Sequence, residues 1–236
     1  MGHCYDLDEF YQHLRRLERR VGGARRLAEC TGRQPWPQRG VYFFFEDGEV
    51  REDGLTPRVV RVGTHALRAG SQTTLWRRLA QHRGTRPSTD PGGNHRSSVF
   101  RHHVGLALLN RGLHPEAASS WNSNRPAREE RGREANLEAT VSKTIGAMRV
   151  LWVAVEDDPG PDSLRGRIEA DAIGLLSAAT AGPVDPASQS WLGHAARGEL
   201  IRTSGLWNVN HVHKPYRRSG LDALAEAVGR TPRPPT

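Results

Sequence analysis

The fold is decided by two apolar runs, Gly40-Val41-Tyr42-Phe43-Phe44-Phe45 and Val59-Val60-Arg61-Val62-Gly63. Aromatic and β-branched residues favour strands because their side chains pack well on a pleated surface. The segment between the runs contains Asp53-Gly54, a pair that supplies the positive φ angle of a tight turn. We therefore predict that the two runs form a β-hairpin.

A helix is predicted after the hairpin, over residues 75–82. A threonine pair can cap its start, and Leu75 and Leu79 lie one turn apart and indicate a buried face. Arg78 and His82 are also four residues apart, so both project from one side of the helix. A hairpin followed by a helix that presents an arginine and a histidine is typical of small nucleases.

Three later segments complete the predicted core. Residues 149–155 form an apolar run suited to a central strand, and residues 164–176 carry a helical stripe with Glu169 partway along. Residues 204–213 close the core. We predict an α/β (α+β) fold with a small three-stranded, mainly antiparallel sheet flanked by helices.

The predicted core lies between two additions. Residues 1–37 form an N-terminal helical arm, residues 38–213 the core, and residues 214–236 a C-terminal helix and tail. Within the core, the polar composition of residues 112–135 predicts a mobile insertion. No internal repeat is present.

These motifs resemble the GIY-YIG nuclease superfamily. Gly40-Val41-Tyr42 is similar to its first motif, Arg61-Val62-Gly63 to a degenerate second motif, and residues 75–82 to its arginine helix. The shared order of hairpin, helix, strand, glutamate helix and asparagine covers most of residues 38–212. One departure is Arg61, which stands where the family usually has a tyrosine.

The resemblance implies a catalytic set for phosphodiester hydrolysis. Its members are Tyr42, Arg61, Arg78, His82, Glu169 and Asn208. Asn210 is a rival for the last position, because the gap after the glutamate is longer than in compact members of the family. Glu169 is implied to be the metal residue, holding one Mg²⁺ or Mn²⁺ ion as a hard oxygen ligand.

The chemistry assigns a task to each member of this set. Hydrolysis of a phosphodiester needs a nucleophilic water, neutralisation of charge on the phosphoryl group and help for the leaving oxygen. Arg78 can stabilise the phosphoryl oxygens, and either Tyr42 or His82 can take a proton from water. A charged Arg61 side chain can still face the phosphate.

The charge balance suggests a polyanionic partner. The chain has 34 lysines and arginines against 26 acidic residues, a net charge of +8. Nearly all the basic residues are arginines, whose planar fork matches phosphate oxygens. Codon preference in a GC-rich genome is the alternative cause of the arginine content. Donors cluster after the arginine helix, and the predicted nucleic-acid contacts are Arg77, Arg83, His95, Arg96, Ser98, Arg101 and His102.

The histidines allow a different interpretation. His102-His103 and His211-x-His213, together with His82 and His95, can be read as ligands of a transition metal. Against a zinc site, no cysteine or carboxylate joins them at ligand spacing. Trp121, in the polar insertion, is the tryptophan best placed by sequence to stack on a base.

The sequence as a whole predicts a metal-dependent DNA endonuclease of restriction or defence type. The alternatives are a noncatalytic nucleic-acid-binding module and a structure-specific DNA-repair nuclease, and RNA is an alternative substrate. We expect a cytoplasmic protein that binds double-stranded DNA, since no signal peptide or membrane segment is apparent and the two cysteines form no framework. We expect the loops at residues 84–101 and 112–135 to recognise the DNA, in an arrangement that suits a homodimer.

Overall fold

A computed structural model describes residues 2–84, 92–125, 127–181 and 185–233. The Pro, Ser, Thr and Gly content of residues 84–94 predicts an exposed loop, and its residues 85–91 lie outside this part of the chain. The strands are β1 (Arg25–Arg26), β2 (Gly40–Val50), β3 (Pro57–Gly63) and β4 (Arg149–Ala154). The α-helices are α1 (Gly2–Val21), α2 (Leu75–Arg83), α3 (Val99–Asn110), α4 (Arg128–Ala147), α5 (Leu164–Leu176), α6 (Ala178–Ala181), α7 (Glu199–Ser204) and α8 (Arg218–Arg230). Short 3₁₀ turns occur at Leu27–Glu29, His95–Ser97, Pro115–Ala117 and Leu192–Ala195.

The four strands form one antiparallel sheet in the order β1-β4-β2-β3. The mixed α+β fold and the antiparallel hairpin are as predicted. The prediction of three strands was wrong by one, because β1 pairs only Arg25 and Arg26 with β4. Two residues are too short to produce the alternating pattern by which a strand is recognised in a sequence.

The sheet is covered on both faces. Alternation along β2 directs Tyr42 and Phe44 into one core with α2, α3 and α4, and Val41 and Phe43 into a second core with α1, α5 and α8. Burial of both faces explains why residues 40–45 read as a continuous apolar run.

The N-terminal helix is built into the second core. Phe10, Leu14 and Leu17 of α1 are buried, and α1 packs on α5 and α8. The segment expected as an insertion is also structured in part, because Trp121 is only 1% exposed and α4 begins at Arg128. Trp121 stacks on His95 with ring centroids 3.7 Å apart, so it is not presented to solvent as a base-stacking platform.

None of the helices in the described part of the chain combines the length and the apolar character needed to span a membrane.

Candidate active site

The hairpin sets the position of Tyr42. This residue lies opposite Gly63 in the antiparallel pair, and its ring crosses directly over that glycine. A Cβ atom on Gly63 would approach the Tyr42 hydroxyl oxygen to 2.4 Å, so only glycine allows this close approach. The ring is fully buried and its hydroxyl group is directed towards α2.

Helix α2 supplies His82, which is bound at both ring nitrogens. Thr74 caps the helix as predicted, accepting a hydrogen bond from the backbone N–H of Arg77. The Nε2 atom of His82 lies 2.8 Å from the Tyr42 hydroxyl oxygen, and the Nδ1 atom lies 2.8 Å from the Ser98 hydroxyl oxygen. Burial lowers the pKa of His82 well below its ordinary value, and Arg78, Arg61 and Arg101 lower it further. The imidazole is therefore neutral at physiological pH.

Arg61 lies on the same face of the hairpin as Tyr42, because it pairs with Phe44, two residues along β2, and a bulge follows directly beyond this pair. Phe44 pairs with Arg61 while Phe45 pairs with Val59, so one extra residue is accommodated in β3. Nη1 of Arg61 donates to the Trp207 carbonyl oxygen at 2.7 Å, and the guanidinium lies 4.7 Å from the centre of the Phe100 ring. Its Nε atom is buried and has no hydrogen-bond partner among the described residues.

The charge of Arg61 is strongly desolvated. Burial lowers the pKa of its guanidinium, the nearby Arg78 lowers it as well, and Tyr42 and Glu169 act in the opposite direction. A buried guanidinium with an unused N–H donor can bind an anion, and binding would compensate for the desolvation of its charge.

Glu169 reaches the same end of the hairpin from α5. Ser163 caps this helix by accepting from the backbone N–H of Gly166, and Glu169 follows about two turns into the helix. Its Oε1 atom accepts a hydrogen bond of 3.1 Å from the backbone N–H of Thr64, the residue after Gly63. Burial raises the pKa of Glu169 to about 7, although Arg61, the Thr64 N–H group and Arg78 all favour its charged form.

Arg78 is half-buried on α2 and faces the same space. Its Nη1 atom donates to the Gln81 side-chain oxygen at 3.0 Å. Its positive charge acts on three members of the set, since it lowers the pKa values of His82, Arg61 and Glu169. Arg78 and Arg61 therefore bring two positive charges to the Tyr42 and Glu169 side chains.

Asn208 lies beside this group and its amide is already engaged. Its Oδ1 atom accepts from the Val62 N–H at 3.1 Å, and its Nδ2 atom donates to the Val62 carbonyl at 2.8 Å. The next residue back, Trp207, donates its backbone N–H to Val60. This segment thus completes the outer edge of β3. Asn210, the rival candidate, is exposed.

Two participants in this arrangement were not predicted for these roles. Thr64 binds Glu169 through its N–H group and donates its hydroxyl to the Gly40 carbonyl at 2.8 Å. Its signal in the sequence is its place directly after the motif glycine. Ser98 was predicted to contact nucleic acid, and it instead lies against His82. Nothing in the sequence points to that contact, since the two residues lie on different helices.

Three of the predicted nucleic-acid contacts are buried, and two of them form a network with Glu138 of α4. Arg101 is fully buried and bound to the Glu138 carboxylate, and its Nη1 atom donates to the His82 carbonyl at 3.0 Å. His95 donates its backbone N–H to Glu138 at 2.7 Å, and its Nδ1 atom lies 2.8 Å from the same carboxylate oxygen. Ser98 is 1% exposed.

The other four predicted contacts differ in exposure. Arg96 forms two hydrogen bonds of 2.8 Å with the Glu134 carboxylate. Arg83 donates to the Cys30 carbonyl at 2.5 Å and packs over Trp76. His102 is half-buried beside His95, and its pKa is lowered by burial. Arg77 is exposed on α2.

The implied divalent ion would be held by a single carboxylate. Among the described residues, no three His, Cys, Asp or Glu side chains come together as a metal-binding group. The histidine cluster of a zinc site is thus not assembled there. A single carboxylate does fit Mg²⁺ or Mn²⁺, which keep several waters and combine one or two carboxylates with substrate phosphates. The second oxygen of Glu169 has no hydrogen-bond partner in the described part of the chain, and its desolvated carboxylate would gain from a cation.

A family model described as a GIY-YIG domain matches residues 1–234, which is nearly the whole chain. No curated protein and no solved structure matched the chain.

Proposed function

Because the chain belongs to the GIY-YIG domain family, a family of nucleases, we propose that it is a metal-dependent DNA endonuclease that hydrolyses phosphodiester bonds. The observation that supports this proposal best is the convergence of Tyr42, Arg61, Arg78 and Glu169 at one end of the hairpin. These residues are distant in the sequence, and together they provide the acceptor, cations and carboxylate that phosphodiester hydrolysis requires.

In this proposal Arg61 and Arg78 bind the scissile phosphate. The transition state spreads negative charge over the phosphoryl oxygens, and two fixed guanidinium groups stabilise it without reorganisation at the moment of reaction. Within the described residues, the buried guanidinium of Arg61 forms no ion pair with a carboxylate, which supports this role. The tyrosine usual in the family is replaced here by a permanent positive charge.

Tyr42 is the proton acceptor. An O–H bond of the attacking water breaks, and the proton passes to the Tyr42 oxygen in its phenolate form. The water oxygen forms the new bond to phosphorus, and the bond to the leaving sugar oxygen breaks with its electron pair, which then takes a proton from solvent. His82 is less suited to accept this proton, because burial and three arginines disfavour its charged form.

Glu169 would hold the divalent ion through its carboxylate. When bound, such an ion supplies Lewis-acid charge next to the phosphoryl and leaving oxygens. The carboxylate must be ionised to do this, so its pKa of about 7 places metal binding near the point of titration at neutral pH.

Double-stranded DNA is the proposed substrate on the strength of the net charge of +8. Cytoplasmic location, a homodimer and a role in restriction or defence remain predictions. The last is tested by measuring the plating efficiency of phages on cells that express the parent chain or a Glu169→Gln variant.

The proposal is tested first by incubating the purified chain with plasmid and oligonucleotides in the presence of Mg²⁺ or Mn²⁺. We expect the parent to cleave, and Glu169→Gln to bind DNA with similar affinity but not to cleave, because removal of an anion does not weaken attraction to a polyanion. Binding by both proteins with cleavage by neither would favour the noncatalytic module instead. Equal turnover by both would remove Glu169 from the site.

A further inference from the structure

The bonding of His82 leads beyond the residues of the family motif. Its ring is fully buried between the Tyr42 hydroxyl on one side and the Ser98 hydroxyl on the other, each 2.8 Å from a ring nitrogen. A neutral imidazole carries one N–H group, so one nitrogen donates and the other accepts. The bonding of Nδ1 to Ser98 therefore decides whether Nε2, the nitrogen that faces Tyr42, carries the hydrogen.

The Ser98 hydroxyl group is buried away from solvent, so its hydrogen and its oxygen both need partners within the protein. It caps α3, and its hydroxyl oxygen accepts from the backbone N–H of Arg101 at 3.3 Å. Beyond His82 and this N–H group, its hydroxyl has no hydrogen-bond partner in the described part of the chain. The hydroxyl hydrogen must therefore go to Nδ1 of His82 or remain buried without an acceptor, which is costly.

The charges around His82 favour the first arrangement. Ser98 begins a helix of 12 residues, whose N-terminal end carries partial positive charge. The charged groups that act on the ring are Arg78, Arg61 and Arg101, all positive. A lone pair on Nδ1 suits this end of the helix, whereas an N–H group would direct a second positive dipole towards it.

We propose that Ser98 is a positioning residue that holds His82 as the Nε2–H tautomer, so that His82 donates to the Tyr42 oxygen. Because the Tyr42 hydroxyl has no acceptor other than His82 among the described residues, this arrangement suits the ionised form of Tyr42, whose oxygen accepts from the ring and keeps a lone pair for the attacking water. In its phenolate form it is stabilised by this N–H group and by Arg61. The catalytic consequence rests on the proposed function, whereas the tautomer does not.

The surrounding network keeps Ser98 in place. Arg101, three residues further along α3, donates to the backbone carbonyl of His82 at 3.0 Å and is bound to the Glu138 carboxylate. Helices α2 and α3 are thus joined at both the side chain and the backbone of His82. Glu138 also binds His95, just before Ser98, which explains why these polar residues are buried.

The tautomer can be read directly from nitrogen chemical shifts in long-range ¹H–¹⁵N spectra of histidine-labelled protein. The His82 signals are identified by their absence in a His82→Gln variant. We expect a protonated Nε2 and a bare Nδ1 in the parent and in Ser98→Thr, which keeps the hydroxyl. In Ser98→Asp the carboxylate still caps α3 but only accepts, so we expect protonation to move to Nδ1.

The matched control is Ser163→Ala, which removes the same kind of cap from α5 and should leave the His82 signals unchanged. Ser98→Ala should shift the Nδ1 signal towards that of a nitrogen without a hydrogen bond. If Ser98→Asp does not fold, the parent spectrum and Ser98→Ala decide the question.

Cleavage measurements form a separate arm of the test. We expect Ser98→Ala to lose on the order of tenfold to a hundredfold in single-turnover rate, as is usual when the partner of a functional histidine is removed, and Ser98→Thr to remain near the parent. A parent His82 protonated at Nδ1, or a Ser98→Asp spectrum identical to the parent, would overturn the inference. A rate loss that Thr does not rescue would also overturn it. An inactive parent with the expected tautomer would instead contradict the proposed function alone.

Discussion

Arg61 and Arg78 give the candidate site an excess of positive charge. Both arginines lower the pKa of His82 and act against the burial that raises the pKa of Glu169. Within the described residues, neither arginine has an ion-pair contact with a carboxylate. A bound phosphate would remove this imbalance, and so the two residues are better explained by a ligand than by folding stability.

The first prediction concerns Arg78. Arg78→Lys should fold normally and bind DNA but lose on the order of a hundredfold in cleavage rate, because a single ammonium cannot bridge two phosphoryl oxygens as a planar guanidinium does. Single-turnover cleavage with saturating protein isolates this step. Gln81→Ala, which removes the amide contacted by Arg78, is the control and should cleave like the parent. A near-parental rate in Arg78→Lys would exclude the residue from the site.

The second prediction concerns Glu169 and pH. Its pKa is raised from 4.5 to about 7, so its contribution to stability is complete below about pH 4.5 and is lost as the pH rises through 7. Glu169→Gln removes this loss. At pH 8 the variant should therefore exceed the parent in free energy of unfolding by roughly 1 to 3 kcal/mol, with little difference at pH 4.5.

Urea denaturation at pH 4.5, 6 and 8 measures both proteins. Cleavage by the parent should fall as the pH drops below about 7, because protonation removes the carboxylate that the metal needs. Parallel stability curves for parent and variant would show that Glu169 keeps its ordinary pKa.

Sequence motifs predict the roles of some residues of the site but not of others. Tyr42, Arg78 and His82 could be selected from residue type and spacing, and the structure brings them into one group. The clustering of donors in the sequence predicts that His95 and Arg101 contact phosphates. Their partner Glu138 lies about 40 positions away, and no local pattern shows that a buried carboxylate will use those donors.

Among the elements, the edge strand β3 depends on the segment that follows α7. Asn208 occupies both polar groups of Val62, in the manner of a neighbouring strand. This bonding keeps β3 in register next to Arg61 and Gly63. Asn208 therefore positions the site indirectly, through the edge strand that carries Arg61 and Gly63.

The third prediction follows from that contact. Asn208→Ala should reduce the free energy of unfolding by about 2 to 4 kcal/mol, because the N–H and the carbonyl of Val62 both lose a buried partner. Chemical denaturation measures the change. Asn210→Ala is the matched control, and its exposed side chain should matter by less than about 0.5 kcal/mol. Equal stability of the two variants would contradict the structural role of Asn208.

Elements with a strong period were predicted with nearly correct bounds. Helix α5 has the residues 164–176 given by its stripe, and β4 is central as its apolar composition indicates. The apolar stripe of helix α4 predicts a helix only from Leu137 onward, but the helix begins at Arg128. Its first turns are polar and mostly exposed, so they show no apolar period. The Ala127 N–H donates a capping hydrogen bond to the Glu130 carboxylate, which helps to start the helix.

The net positive charge of the molecule indicates a surface that binds DNA. Arg77 on α2 and Arg131 on α4 are exposed and line one open groove on the Tyr42 side of the sheet. If this groove carries the DNA backbone, each arginine replaced by alanine should reduce the slope of log affinity against log salt by about one.

The fourth prediction compares Arg77→Ala and Arg131→Ala with Arg19→Ala. Arg19 is exposed on α1, which packs against the opposite face of the sheet, so its loss should leave the slope unchanged. Fluorescence anisotropy with a labelled duplex across a range of salt concentrations measures the slopes in a Glu169→Gln background. A slope that responds equally to all three changes would place the contacts elsewhere.

The packing of α1 beside α8 also decides how the chain can be dissected. Tyr216 donates to Asp6 at 2.7 Å near one end of the pair, and Arg20 binds the Thr231 carbonyl near the other. A fragment trimmed to residues 38–213 would lose both helices and expose the apolar sheet face that contains Val41 and Phe43. Such a surface promotes aggregation. The smallest soluble version of this nuclease domain therefore has to retain both ends of the chain, although the residues proposed for chemistry lie between them.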